Sequence, residues 1–449
     1  NAMEDFEMPE LAEVSTNDPV YEITKEEFPV YGGLRYKEHC LKVTFADGTR
    51  DVAYEYVNYE IQKNEQCEEL VIILKDKHYA LVMELHYKIY EAYDLMERFV
   101  VLKNESTEVM QIEKLHSGQF HVPYEGLNFR NVHGHWGAEQ QKFVQKVDYG
   151  KIIFENRRGI SSHNHNPYFI LYFGALRMTG NYTETTGNVY FGALRMTGNF
   201  SGAVEQTQYG ETLVQMGINT HDFTWDLKPG ESFASPEILC GYSADGFQTM
   251  SHNLHQFAND FLLREGLRPV LYNSWEATGF DVTVQEQKKL AAKAKELGAE
   301  LFVVDDGWFG QRHGIDNGLG DWYVNKEKFP NGIDELIDEV KAQGLLFGIW
   351  VEPEMVNPKA ELYAKHPDWI YHFDTRESDT SREQYVLDLT KNEVKAFVLE
   401  MLDNLLSNHE IDYIKWDANR PISQTNLKKD LWYKHIQALY DIVKETKKK

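Results

Sequence analysis

Tyr413-Ile414-Lys415-Trp416-Asp417 is a short apolar run that closes in a cation, an indole and a carboxylate. Four runs of similar design precede it: Val270 to Trp275, Leu301 to Asp306, Leu345 to Val351 and Tyr385 to Leu389. Helical segments follow in turn at Val284 to Leu297, Ile333 to Gln343, Pro358 to His366, Glu393 to Leu406 and Leu427 to Val443. Five β-then-α units call for parallel strands joined by right-handed helical crossovers. An open doubly wound sheet and a β/α barrel both satisfy that rhythm. The strand ends separate them, because Trp275-Glu276, Asp305-Asp306, Trp350 with Glu352 and Glu354, Asp388 and Lys415-Trp416-Asp417 all sit there. A barrel brings C-terminal strand ends to one mouth, whereas an open sheet spreads them along a line. No G-x-G-x-x-G or G-x-x-x-x-G-K-[ST] follows the first run, which removes the phosphate-binding versions of the open sheet. The expectation is an α/β fold of the barrel type.

Upstream the period changes. Leu81, Met83, Leu85, Tyr87 and Ile89 fall on one side of an alternating run, with Glu84, His86 and Lys88 on the other, the pattern of a half-buried strand. Similar runs recur between turn signals such as Ala46-Asp47-Gly48, Lys103-Asn104-Glu105 and Lys228-Pro229-Gly230. Many strands with few helices imply a β-sandwich. At 449 residues the chain exceeds what one core usually serves, so we divide it into a sandwich at 1–262 and the N-terminal part of a barrel at 263–449. YFGALRMTGN at 172–181 recurs unchanged at 190–199. One identical pair in an otherwise unrepetitive chain reads as a local duplication or an artefact of the record.

A formal net charge of −25 repels phosphate backbones and anionic lipid, which argues against nucleic acid and membrane partners. A neutral sugar is indifferent to that field. Cys40, Cys67 and Cys240 are odd in number and lack metal or redox spacing, which suits a reduced, cytoplasmic chain. No run approaches a membrane span of about 20 residues, and no signal segment opens the sequence. His133-x-His135 and His163-x-His165 each put two imidazoles on one strand face, but without a third ligand nearby the reading is no metal and no cofactor.

Indoles and carboxylates at a pocket mouth suit carbohydrate, the indole covering the C–H face of a pyranose and the acids accepting from paired hydroxyls. Trp275, Trp308, Trp322, Trp350 and Trp416 all lie near strand ends; the bland alternative for each is core filling. Glycoside cleavage needs two carboxylates, roughly 5 to 5.5 Å apart for retention and 6.5 to 9.5 Å for inversion. Asp417 is the candidate for attack on the anomeric carbon. Lys415 shares its strand face, so its ammonium is expected to keep Asp417 ionised and to meet a sugar hydroxyl. The bland reading of that pair is a strand-end salt bridge, and of Asp305-Asp306 a turn before Gly307. Glu352 and Glu354 read as structural acceptors and Asp388 as support behind the mouth.

Six ordered segments carry a resemblance: NSWEA at 273–277, LFVVDDGWFG at 301–310, LGDWYVNKEKFPNG at 319–332, FGIWVEPEMVNP at 347–358, REQYVLDL at 382–389 and YIKWDANR at 413–420. The stretch resembles the bacterial α-galactosidases of glycoside hydrolase family 36. Upstream, MERFVVLKN at 96–104 and GISSHNHNPYF at 159–169 are similar to that family's N-terminal β-supersandwich. The resemblance implies that supersandwich followed by a (β/α)8 TIM barrel, and a retaining double displacement on α-galactosides such as melibiose and raffinose. It implies Asp417 as nucleophile, with Asp305, Asp306, Trp350, Arg382 and Lys415 on the galactose ring and Trp275 and Asn419 at the pocket. It implies a homo-oligomer, with a tetramer among the options. The family's acid/base aspartate, in a segment resembling S-D-N-T-D, comes after the nucleophile strand, whereas this sequence closes at Lys449. The expectation is thus a fragment holding about five of eight barrel units, inactive or very weak by itself. Other readings are a non-catalytic galactose-binding or assembly module, and a galactosyltransferase or α-N-acetylgalactosaminidase on the same fold.

Overall fold

A computed structural model of the chain describes residues 24–448, apart from 65, 123–125, 162, 174–186, 264–265 and 426–427. It divides into two compact units. One holds Ser161–Leu263 with the residues up to Arg157, and the other holds Arg158–Ile160 with Arg264–Lys449.

The first unit is built from two antiparallel sheets. Leu41–Thr44, Met110–Val122, Thr212–Ile218, Phe200–Gln206 and Gly150–Glu155 pair in that order, with Trp225–Leu227 added to Met110–Val122. The larger sheet runs Tyr54–Lys63, Glu68–Asp76, Leu81–Tyr90, Leu95–Asn104, Ile238–Ser243, Val189–Leu194, Tyr168–Tyr172, Asn128–His135, Ala138–Lys146. Rings interleave from the two sheets, Phe129 on Phe154 at 5.1 Å and Phe120 by Phe169 at 6.4 Å, as expected of a sandwich core. Alternation in the run from Leu81 holds for Leu81, Met83 and Leu85, which are buried, and fails at Ile89, which is exposed while Tyr90 is buried. On the other face Glu84 pairs with Lys103, His86 meets Glu69 and Lys88 reaches the buried Glu97, cross-strand pairs of the kind that steady a sheet. The first copy of the repeated decapeptide lies, from 174 on, outside the described residues. The second copy opens inside the strand Val189–Leu194. His133 and His165 meet in an isolated bridge with rings 6.2 Å apart, and no group of three metal-ligating side chains occurs among the described residues. Cys40, Cys67 and Cys240 are free thiols. No described helix is long and apolar enough to cross a membrane.

The second unit carries the parallel strands β1 (Leu271–Asn273), β2 (Leu301–Val304), β3 (Leu346–Val351) and β4 (Tyr413–Trp416), hydrogen-bonded in that order. Helices α1 (Val284–Glu296), α2 (Asp334–Ala342) and α3 (Asn392–Asn408) make the crossovers, and α4 (Leu431–Thr446) follows β4. Thr283 starts α1 by accepting from the Glu286 amide, the first half of a capping box. All four residues of β2 are buried, which explains its unbroken apolar run where a half-solvated strand would alternate. Phe302, Val304, Phe347 and Ile349 are sealed in one core with Ala291 of α1, Ile337 of α2, Val398 of α3 and Ile442 of α4.

One of the five expected units is corrected here. Tyr385–Val386 does not enter the parallel sheet; it pairs antiparallel with Met355–Val356. The place is already taken, because Gly348 to Val351 of β3 pairs directly with Tyr413 to Trp416 of β4. The Asp412 carboxylate then locks the start of that seam by accepting from the Phe347 amide at 2.9 Å. Pro358 to His366 is likewise no crossover: its helix, Glu361–Lys365, is a single short turn.

Phe302, fully buried and stacked on Tyr272 at 5.5 Å, is a point where this core is testable. Phe302→Ala is expected to cost about 3–5 kcal/mol, read as a lower urea midpoint for the second unit.

Candidate active site

At the end of β4, alternation sends Lys415 and Asp417 to one side and Trp416 to the other. The Asp417 amide still bonds the Val351 carbonyl at 2.9 Å, so its carboxylate leaves a fixed backbone. Three donors hold that carboxylate: the Trp350 indole N–H at 3.0 Å and the Asn419 amide at 2.8 Å on Oδ2, and the Ala418 N–H at 3.0 Å on Oδ1. Trp350 is itself immobile. It is buried, lies parallel to Phe309 at 5.9 Å, and its carbonyl accepts from the Trp308 indole at 2.9 Å.

Lys415 departs from expectation. Its ammonium lies 2.7 Å from Asp305 Oδ2, not on Asp417, because Asp305 at the end of β2 is buried and otherwise without a cation. Asn273 at the end of β1 donates to the same oxygen at 2.6 Å, and Asp305 Oδ1 accepts from the Asp306 amide at 2.9 Å. The turn-forming reading of Asp305 therefore holds, and the strand-end salt bridge expected between Lys415 and Asp417 forms with Asp305 instead. Asp306 points elsewhere, into a bidentate grip by Arg312 with Nε 2.9 Å from Oδ1 and Nη2 2.7 Å from Oδ2. Burial nonetheless raises the Asp306 carboxyl above its usual range, against the pull of Arg312. Each gripped oxygen keeps a second lone pair for a ligand hydroxyl.

Arg382 and Glu383 are both left-handed, with φ of 55° and 56°. The Gln384 amide bonds back to the Ser381 carbonyl at 3.1 Å, so the pair forms the tip of a two-residue hairpin of the type I′ class. Glycine or asparagine usually stands in such turns, and here an exposed guanidinium is carried instead. Three buried groups hold the tip: Asn357 donates to the Glu383 carbonyl, Arg420 to the Gln384 carbonyl, and the Gln384 side chain to Glu352. Glu352 also accepts from the Asn419 amide. On the opposite face of β4, Trp416 donates to Glu354 at 3.0 Å, and the other oxygen of Glu354 meets His435 at 2.9 Å.

Hydrogen bonds thus gather Asp417 with Trp350 and Asn419, and Asp305 with Lys415. Among the described residues, Trp275, half-buried against Phe280, and Arg382 make no hydrogen bond to either group, and Arg382 is tied in by charge, since Glu352 feels Asp417, Asp306 and Arg382 together. Trp308 is core, with no exposure at all. Asp388 caps its own turn through Thr390. Sequence reasoning missed Arg312, Asn357, Gln384 and Arg420. None stands at the end of a strand of the parallel sheet, and no periodicity marks a buried cation. The arrangement supplies an oriented carboxylate ringed by donors, a lysine–aspartate pair and a second carboxylate, a set suited to gripping a polyol and attacking beside it.

The Glycosyl hydrolase family 36 N-terminal domain profile matches residues 2–228, and the Melibiase profile matches 232–449. The chain is 35% identical over 418 residues to α-galactosidase AgaA of Geobacillus stearothermophilus, covering 89% of this chain and 56% of that protein. With α-galactosidase Mel36A of Lactobacillus acidophilus it shares 34% over 444 residues, covering 93% and 60%. A variant of the G. stearothermophilus enzyme, solved in complex with raffinose, superposes with a TM-score of 0.91 at 33% identity, covering 98% of this chain and 65% of that one. The chain therefore spans somewhat over half the length of the curated relatives it matches.

Glu352 gives the site a pH signature. Burial, with Asp417 and Asp306 adding to it, pushes its carboxyl up to about 7. The folded state holds a proton that the unfolded chain releases, so stability is greatest below the ordinary glutamate range and falls as pH rises towards 7. The loss is expected to be on the order of 3 kcal/mol. In urea titrations at pH 5 and pH 8, Glu352→Gln should lose distinctly less stability than the parent; equal losses would remove Glu352 as the source.

Proposed function

Because the chain belongs to glycoside hydrolase family 36, we propose that it carries the sandwich (1–262) and the nucleophile-bearing part of the barrel (263–449) of a retaining α-galactosidase. The observation that carries this reading is the Asp417 carboxylate fixed by Trp350, Asn419 and the Ala418 amide. A nucleophile gains from being held at one attack angle. Three neutral donors orient it without the strong grip of a cation. In the proposed first step an Asp417 oxygen bonds the anomeric carbon as the glycosidic oxygen departs with a proton, and water then releases galactose.

Asp305, Asp306 and Lys415 take the ring hydroxyls, with the acidic pair on the 4- and 6-positions, and Trp350, Trp275, Arg382 and Asn419 line the same pocket. The complex of a relative with raffinose supports a galacto-oligosaccharide as substrate. We assign the proton donor to a carboxylate outside these 449 residues. In support, Glu352 and Glu354 are buried and spent on Gln384, Asn419, Trp416 and His435. The relatives are considerably longer. A cytoplasmic homo-oligomer completes the proposal, supported by three free thiols and by the family resemblance.

Galactose binding by calorimetry and turnover of nitrophenyl α-galactoside, whose leaving group needs little protonation, test it. Galactose is expected to bind at least about tenfold more tightly than glucose. Asp417→Asn should cut turnover by on the order of 10³-fold or more. Full turnover in that variant would exclude the assignment, and binding with no turnover at all would leave a galactose-binding module.

A further inference from the structure

Glu352 is a buried acid that the proposed chemistry does not use. It is 1% exposed, and no cation lies within ion-pair distance of it among the described residues. Its Oε1 accepts from the Asn419 backbone N–H and its Oε2 from Gln384 Nε2 at 3.0 Å. Those donors belong to two segments far apart in sequence. Asn419 follows Asp417 and holds its carboxylate at 2.8 Å, while Gln384 is the first residue after the left-handed Arg382-Glu383 tip. Arg420 repeats the link by donating to the Gln384 carbonyl.

We propose that Glu352 is a positioning residue that clamps the Arg382 turn to the Asp417–Asn419 strand end, so that the guanidinium and the nucleophile's amide partner meet the sugar as one preorganised unit. An apolar residue there would leave two buried donors without an acceptor, and the left-handed turn would lose one of its few restraints. The Gln384 Oε1 atom is buried without a partner. If the amide turns over, that oxygen faces Glu352 and accepts a hydrogen bond from its protonated carboxyl, so the clamp survives in either protonation state. The groups facing Glu352 agree with this, since Asp417 and Asp306 favour its protonated form and Arg382 opposes them.

The inference rests on the galactose reading for its ligand, and the test separates the two. Galactose affinity is measured by calorimetry for the parent, Glu352→Leu, Gln384→Ala, Arg382→Ala, the combinations of the first two with Arg382→Ala, and Glu352→Gln. Glu352→Leu and Gln384→Ala are each expected to weaken binding about tenfold, and by less than about twofold once Arg382 is alanine. Glu352→Gln, which keeps one acceptor for the Asn419 N–H and one donor for the turned Gln384 oxygen, should hold the parent affinity to within about threefold. A general loss of folding would instead lower affinity equally in both backgrounds, and that result, or a tenfold loss in Glu352→Gln, overturns the proposal. Should the parent bind no galactose, the galactoside reading falls, and tryptic cleavage after Arg382 decides the clamp. Faster cutting in Glu352→Leu and Gln384→Ala with the circular dichroism spectrum unchanged supports it; cutting at the parent rate overturns it.

Discussion

Trp350 stands opposite Lys415 in the parallel register that joins β3 to β4, and the chemistry at the strand ends depends on that alignment. It puts the Trp350 indole within reach of the next outward carboxylate, Asp417. A slip of one residue would turn Lys415 and Asp417 to the far face and present Trp416 in their place. The seam is secured at both ends, by the Asp412 carboxylate on the Phe347 amide and by the Asp417 amide on Val351. Beneath it, Phe309, Trp308 and Trp322 pack around Trp350, so the ring orienting the carboxylate is part of the core.

Much of this was legible in the sequence where a residue's role follows from its own strand. The buried run Leu301 to Val304 and the carboxylates closing it, the change of period near residue 260, and Asp417 after an apolar run all express local geometry. Roles set by partners distant in the chain were not legible. Lys415 shares a face with Asp417, yet it turns to Asp305, 110 positions away, because the better-buried carboxylate had no other cation. Tyr385 to Leu389 has the composition of a barrel strand, but whether it joins the sheet was decided by β4 occupying the edge of β3. Nothing in the run itself encodes that competition.

The same limit hid the buried charges behind the mouth. Arg312 and Asp306 neutralise each other in a place where either alone would be costly. Glu354 and His435 join the end of β3 to α4, and Glu352 joins the two loops that flank Asp417. The carboxylates visible in the motif WVEPE are thus joists under the pocket, and what they carry could be seen only after the chain had folded.

The left-handed pair at Arg382-Glu383 has a consequence of a different kind. Each residue stands in a backbone well that costs a non-glycine side chain roughly 1–2 kcal/mol, and the deficit is met by bonds from Asn357, Arg420 and Glu352. The hairpin tip is therefore a spring held under load by the floor beneath it. Cut any one of the three catches and the backbone gains by relaxing, carrying the guanidinium away from where it was set. Glycine at either position would calm the spring and stabilise the loop, while giving up the tension that keeps the arm in place.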